Sequence, residues 1–149
     1  MPTRPLPDNA KNLRTEKLGL KHLSAKDKNI LELTREQRHR LLKLLDLNTK
    51  QYGRSFDAIR LLVDSFEEIK SLKDFEVIEI KVTQKHLPNF PDNFFFGMTK
   101  NEEDLMVKLG DSFKLCLISV HGEGQHLFLT HADLQKRIKN KRIQYQINL

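Results

Sequence analysis

Phe75–Thr83, which contains "VIEIKVT", alternates with a period of two, and its two sides differ in kind. Successive side chains of a strand point to opposite faces, so Ile78, Ile80 and Val82 make one continuous apolar face. Val77, Glu79, Lys81 and Thr83 share the other. Such a strand requires a sheet whose apolar side is covered. The carboxylate and ammonium two residues apart have two explanations, a solvated ion pair or an active site.

The same reading places further elements on both sides. Phe113–Val120 reads as a strand and Gln125–Leu129 as a shorter one, with Gly122-Glu-Gly124 as the turn between them. Asn93–Met98, apolar on both faces, reads as a central strand that pairs with Phe75–Thr83 in a hairpin. Thr99-Lys-Asn-Glu102 is a capping box that opens a helix ending at Gly110, and Thr130-His-Ala-Asp133 caps a last, basic helix. Upstream, Ser24-Ala-Lys-Asp27 and Thr34-Arg-Glu-Gln37 have the form of helix starts. Ser55–Lys70 carries Phe56, Ile59, Leu62 or Val63, Phe66 and Ile69 at three- and four-residue spacing, which predicts the clearest helix of the chain. A strand over Phe56–Val63 ranks below it.

Residues 1–20 hold Pro2, Pro5 and Pro7 without a sustained period, which predicts a flexible basic arm that a partner would order. The expected organisation is that arm followed by one domain over 21–149, with N-terminal helices over 24–70 and a sheet-containing core over 74–149. The fold class is α/β, with α+β as the alternative: a mixed β-sheet with flanking helices. A chain of 149 residues suffices for one domain with a real core. At 38% hydrophobic and 31% charged residues it has a soluble composition. No apolar run approaches the ~20 residues that span a bilayer, and the N-terminus lacks a secretory apolar segment. A single cysteine fits a cytoplasmic protein, or a nuclear one in a eukaryote. The net charge of +6 favours an anionic partner, nucleic acid before a membrane surface.

Glu79-Ile80-Lys81 is the sharpest chemical candidate. The Glu79 carboxylate, the Ile80 carbonyl and a second carboxylate would give Mg²⁺ the all-oxygen set it prefers. Lys81 would orient or help deprotonate a water and offset charge on a phosphate. Alone, the motif is more often a surface ion pair.

The order of motifs downstream of this strand gives it more weight. Glu79 and Lys81, then Thr99-Lys-Asn-Glu102, then Phe113-Lys-Leu115 come in an order that resembles the C-terminal domain of the plant NO VEIN protein and its bacterial relatives. That family looks like part of the PD-(D/E)xK, or restriction-endonuclease-like, group; the resemblance covers residues 74–120. It implies a restriction-endonuclease-like core preceded by N-terminal helices. It also implies an acidic residue upstream of Glu-x-Lys, at the end of a preceding strand in a Gly-x-Asp-Ile-like setting. Asp57 in "GRSFDAI" looks most like that setting, although its period places it in a helix. Asp64 lies at a suitable sequence distance on the polar face of the same helix. Asp74 heads the Glu79 strand itself, about 17 Å away at ~3.3 Å per residue, too far to share one metal. Asp92 lies beyond the lysine in the chain and would need a rearranged site. Candidate catalytic residues are thus Glu79, Lys81, Asp64 and Asp57, with Glu79, Ile80 and Asp64 as metal ligands. Glu102 is accounted for first as a cap reaching back to Thr99.

Cys116, His121, His126 and His131 lack the close pairs of a zinc site, and Cys116 reads as a small core hydrophobe. Lys136, Arg137, Lys139, Lys141 and Arg142 form a basic run suited to phosphate contacts. Lys11, Arg14, Lys17, Lys21 and Lys26 form another, continued by Arg35, Arg38 and Arg40. Ser24–Leu45 also resembles two helices joined by a turn, as in helix-turn-helix readers. Together these features predict a Mg²⁺-dependent phosphodiesterase of endonuclease type acting on nucleic acid, DNA before RNA. The alternative is a non-catalytic nucleic-acid-binding or protein-interaction subunit that keeps the nuclease-like fold. A short chain without a separate specificity domain points to a homodimer or a larger complex.

Overall fold

The computed structural model describes residues 5–145 and 147–149, with side chains from Arg14 onward. The elements are α1 (Pro5–Lys26), β1 (Ile30–Glu32), α2 (Arg35–Leu44), α3 (Thr49–Tyr52), β2 (Ala58–Leu61) and β3 (Phe75–Thr83). Then come α4 (Lys100–Leu109), β4 (Phe113–Ser119), β5 (Gln125–Leu129) and α5 (His131–Arg137). The five strands form one sheet in the order β1-β2-β3-β4-β5. β3 and β4 are parallel and every other neighbouring pair is antiparallel. A parallel pair cannot be joined by a tight turn, and the crossover between β3 and β4 carries α4. The result is the mixed sheet with flanking helices that the alternating and helical periods predict.

Each face of the sheet has its own core. Val77, Leu115, Leu117 and Leu129 point to one side and pack with Leu41 and Leu42 of α2 and Leu105 and Met106 of α4. Ile78, Ile80, Cys116 and Ile118 point to the other and meet Leu23 of α1. Burial pushes the Cys116 thiol up to about 12, so it behaves as a hydrophobe. The capping boxes at Thr34, Thr99 and Thr130 all form. α1 approaches the sheet so closely at Gly19 that a Cβ there would stand 2.5 Å from Val82 Cγ2.

Several elements differ from expectation. Ser55–Lys70 is not a helix: it holds β2, a bend and a 3₁₀ turn over Phe66–Glu68. β2 is buried on both faces, so Ala58 and Ile59 are both fully enclosed, and no simple alternation survives. Phe66 and Ile69 reach the core from the turn instead, which produces a helix-like spacing by accident. The subordinate strand reading of Phe56–Val63 describes this segment better. Asn93–Met98 forms no strand. Phe94, Phe96 and Met98 pack on the core without a ladder, and Phe90, Phe94 and Phe96 meet edge to face. The antiparallel partner of β3 is β2.

At the N-terminus, α1 is already helical from Pro5, where an arm through residue 20 was expected, and residues 1–4 lie outside those described. Ser24 sits in the last turn of α1, not at a helix start. β1 separates α1 from α2, so this segment is no helix-turn-helix.

Gly19→Val should lower the free energy of unfolding by about 1–3 kcal/mol, because the added side chain must displace Val82 or lift α1. Urea denaturation measures this. An unchanged midpoint would mean that α1 does not rest on β3 as described.

Candidate active site

The paired part of β2 ends at Ala58, and Asp57 stands just beyond it, beside the middle of β3. Its backbone amide donates to the Ile78 carbonyl, and its Oδ2 accepts the Ile80 amide at 2.7 Å. The carboxylate thus continues the ladder where the backbone leaves it. Arg38 of α2 fixes the approach to this point. Its guanidinium donates to the Gly53, Phe56 and Asp57 carbonyls and lies over the Phe56 ring, 5.2 Å from its centroid.

Glu79 and Lys81 point to the α4 face of β3. Glu79 is only 3% exposed, and its Oε2 is buried without a hydrogen-bond partner among the described residues. Its carboxyl is held well above the usual range, first by burial and then by the Asp57 carboxylate, which lies within hydrogen-bonding reach. The Glu102 charge adds to this and the Lys81 ammonium opposes it. Lys81 Nζ lies 3.8 Å from Glu79 Oε1 and 3.3 Å from both carboxylate oxygens of Glu102.

Glu102 therefore has two tasks. Its Oε1 accepts the Thr99 amide at 2.7 Å, which is the cap expected from sequence, and the same carboxylate holds Lys81. Both arise from placing Glu in the first turn of a helix that begins above the end of β3.

A fourth acid enters from α1. The carboxyl of Glu16 is raised by partial burial, then by Asp57 and Glu102, with Lys81 acting against them. Glu16 had no signal of its own, since it lies in the proline-containing segment expected to be an arm.

The other candidates lie elsewhere. Asp64 is exposed beyond the far end of β2, where Leu61 pairs with Phe75, about 13 Å along β3 from Glu79 at ~3.3 Å per residue. It is not a ligand partner for Glu79; the helix that would have carried it does not form. Asp74 is committed to its own turn, accepting the Lys70 amide at 2.8 Å, and Asp92 is exposed in the β3–α4 connection. His126 pairs with His22, His121 lies against His86 and His131 hydrogen-bonds Gln135. Lys136 and Arg137 lie in α5, and Lys139, Lys141 and Arg142 come after it, all exposed. Lys141 reaches Glu103 at 3.3 Å, which ties this basic segment to the residue next to Glu102.

Among the described residues no three His, Cys, Asp or Glu side chains already form a metal cage. Mg²⁺ does not require one, because it is commonly held by one or two carboxylates together with water and substrate oxygens. Asp57 and Glu79 provide the two carboxylates. The Ile80 amide points at Asp57, and in a regular strand the carbonyl of the same residue shares that side. The buried, unpartnered Oε2 of Glu79 is the kind of atom that a cation would satisfy. The donor set fits a hard divalent cation.

The raised Glu79 carboxyl predicts a pH dependence. The folded, metal-stripped protein holds this proton more tightly than the unfolded chain. The resulting stabilisation is complete below the usual glutamate range and is lost as pH rises through the folded value. With a chelator present, the thermal midpoint of the parent should fall across that window, and Glu79→Gln should flatten the fall. Parallel curves for parent and variant would contradict the proposed burial of the Asp57–Glu79 pair.

No family model matches the chain, and no curated protein or solved structure matches it either.

Proposed function

We propose that this chain is a Mg²⁺-dependent phosphodiesterase acting on nucleic acid, with a restriction-endonuclease-like core. One observation carries the reading: Asp57 and Glu79 are brought together at a strand end beside Lys81, and one Glu79 oxygen lies buried without a partner. Two neighbouring carboxylates in a desolvated place repel each other unless a proton or a cation stands between them. The resemblance supports the same reading, since it calls for an acid at the end of a strand preceding Glu-x-Lys. Asp57, at the head of β2, occupies such a position.

Asp57, Glu79 and the Ile80 carbonyl would hold the cation. When bound, Mg²⁺ supplies polarisation of a phosphodiester oxygen and a lowered pKa for a coordinated water. The Ile80 amide fixes the direction of Asp57, and Arg38 fixes the backbone that carries it. Lys81, oriented by Glu102, stands where its ammonium can offset negative charge building on the phosphate. Glu16 of α1, whose carboxyl is raised by partial burial and then by Asp57, would add a further carboxylate near this group. The acids and the fixed ammonium that such hydrolysis would use share one strand end.

The test is cleavage of labelled duplex DNA, single-stranded DNA and RNA in Mg²⁺ or Mn²⁺. Asp57→Asn, Glu79→Gln and Lys81→Ala should each lower the rate by at least about a hundredfold. Asp64→Asn should leave it unchanged, and circular dichroism should show all four variants folded. Cleavage that persists in Lys81→Ala would overturn the assignment. Nucleic-acid binding with no cleavage by the parent protein would select the non-catalytic reading.

A further inference from the structure

A groove of about 580 Å³ runs between α1 and the turn joining β4 to β5. Much of its lining is apolar, from Leu18, Ala25 and Val120; Lys21 and His22 stand on one wall, His121 and Glu123 on the other, and Gln84, whose amide reaches Thr15 Oγ1 at 3.4 Å, closes the end next to β3. Donors thus outnumber the single acid. Lys21 forms no ion pair among the described residues, and Arg14, Lys17 and Lys21 recur at three- and four-residue spacing on one flank of α1.

The groove is built by packing. Gly124 has φ +82°, and a Cβ there would stand 2.8 Å from His22 Cε1, so the turn rests directly on the helix. His22 Nε2 and His126 Nδ1 share a hydrogen bond of 3.1 Å that ties α1 to β5. The His86 and His121 rings lie 4.7 Å apart and brace the opposite wall. None of these contacts belongs to the candidate active site.

Its position relates it to that site. β3 and β4 are parallel, so both leave the sheet at the same end, and the groove opens there. Gln84 lies three residues beyond Lys81, about 10 Å at ~3.3 Å per residue. Lys81 faces α4 and the groove faces α1, so a strand of nucleic acid that meets both crosses over the end of β3 from one face of the sheet to the other. The Lys21 ammonium and the His121 imidazole, set beside an apolar lining, suit phosphate oxygens, which fix position without reading sequence.

We propose that the groove between α1 and the β4–β5 turn seats the phosphodiester backbone of the nucleic acid on one side of the bond to be cut. The proposal rests on the phosphodiesterase reading and adds where the substrate lies. It also gives a role to the basic run of α1.

The test uses the full chain, with Lys21→Ala/His121→Ala as the variant; both positions are exposed. Fluorescence anisotropy with a labelled DNA duplex, the matching single strand and the matching RNA, without divalent metal, gives affinity as a function of salt. For the duplex, the slope of log affinity against log salt should become shallower by about one unit in the variant, as loss of the Lys21 charge requires. Low-salt affinity should fall about tenfold or more, and the probe with the largest loss identifies the substrate form. A parent that binds and cleaves, with a variant of unchanged slope, would overturn the groove and leave the phosphodiesterase reading standing. A parent that neither binds nor cleaves any of the three probes would overturn both.

Discussion

Where β2 gives out, a side chain takes over its pairing. The Asp57 carboxylate accepts the Ile80 amide at 2.7 Å, and this bond sets the geometry of everything around it. It places one acid against the buried Glu79 and turns the Ile80 backbone toward the gap between β2 and β3. It also couples α2 to the site, because Arg38 donates to the carbonyls on either side of the Asp57 Cα, those of Phe56 and Asp57. Burial and the neighbouring Asp57 carboxylate disfavour the charged form of Glu79, so the two acids are not both ionised without cost. Holding two acids this close at a strand end lowers stability at pH values where both would be ionised.

The ammonium of Lys81 partly compensates the pair. It shares a face of β3 with Glu79 but is held chiefly by Glu102 from the first turn of α4. That turn is itself fixed by the Thr99 cap expected of Glu102, and the same carboxylate also pairs with Lys81. A single carboxylate closes the helix and aims the lysine. The crossover that parallel pairing demands between β3 and β4 is what delivers α4 to this place.

Much of this was legible in the sequence, for identifiable reasons. β3 and β5 have the bounds that alternation predicts, and β4 differs only at Val120. Three of the four predicted capping boxes open helices, because a Thr-x-x-Glu or its variant satisfies two amides at once. The failures cluster where burial on both faces erases the period. β2 is enclosed by helices above and below, so its residues read as a helix, and Asp57 was separated from the strand-end setting it resembled. The aromatic segment Asn93–Met98 has strand-like composition but only side-chain contacts. Glu16 was unreadable for another reason: prolines at its helix start disguised α1, and nothing local marks a residue whose carboxyl is shifted by burial and by groups distant in sequence.

The most direct test of the central claim is a crystal structure of the protein soaked in Mn²⁺, with anomalous scattering recorded for the metal. A peak within coordinating distance of both the Asp57 and Glu79 carboxylates, and absent in Asp57→Asn, is the predicted result. Glu79 turned away from Asp57 with no metal between them, at a Mn²⁺ concentration that fills other sites, would contradict it.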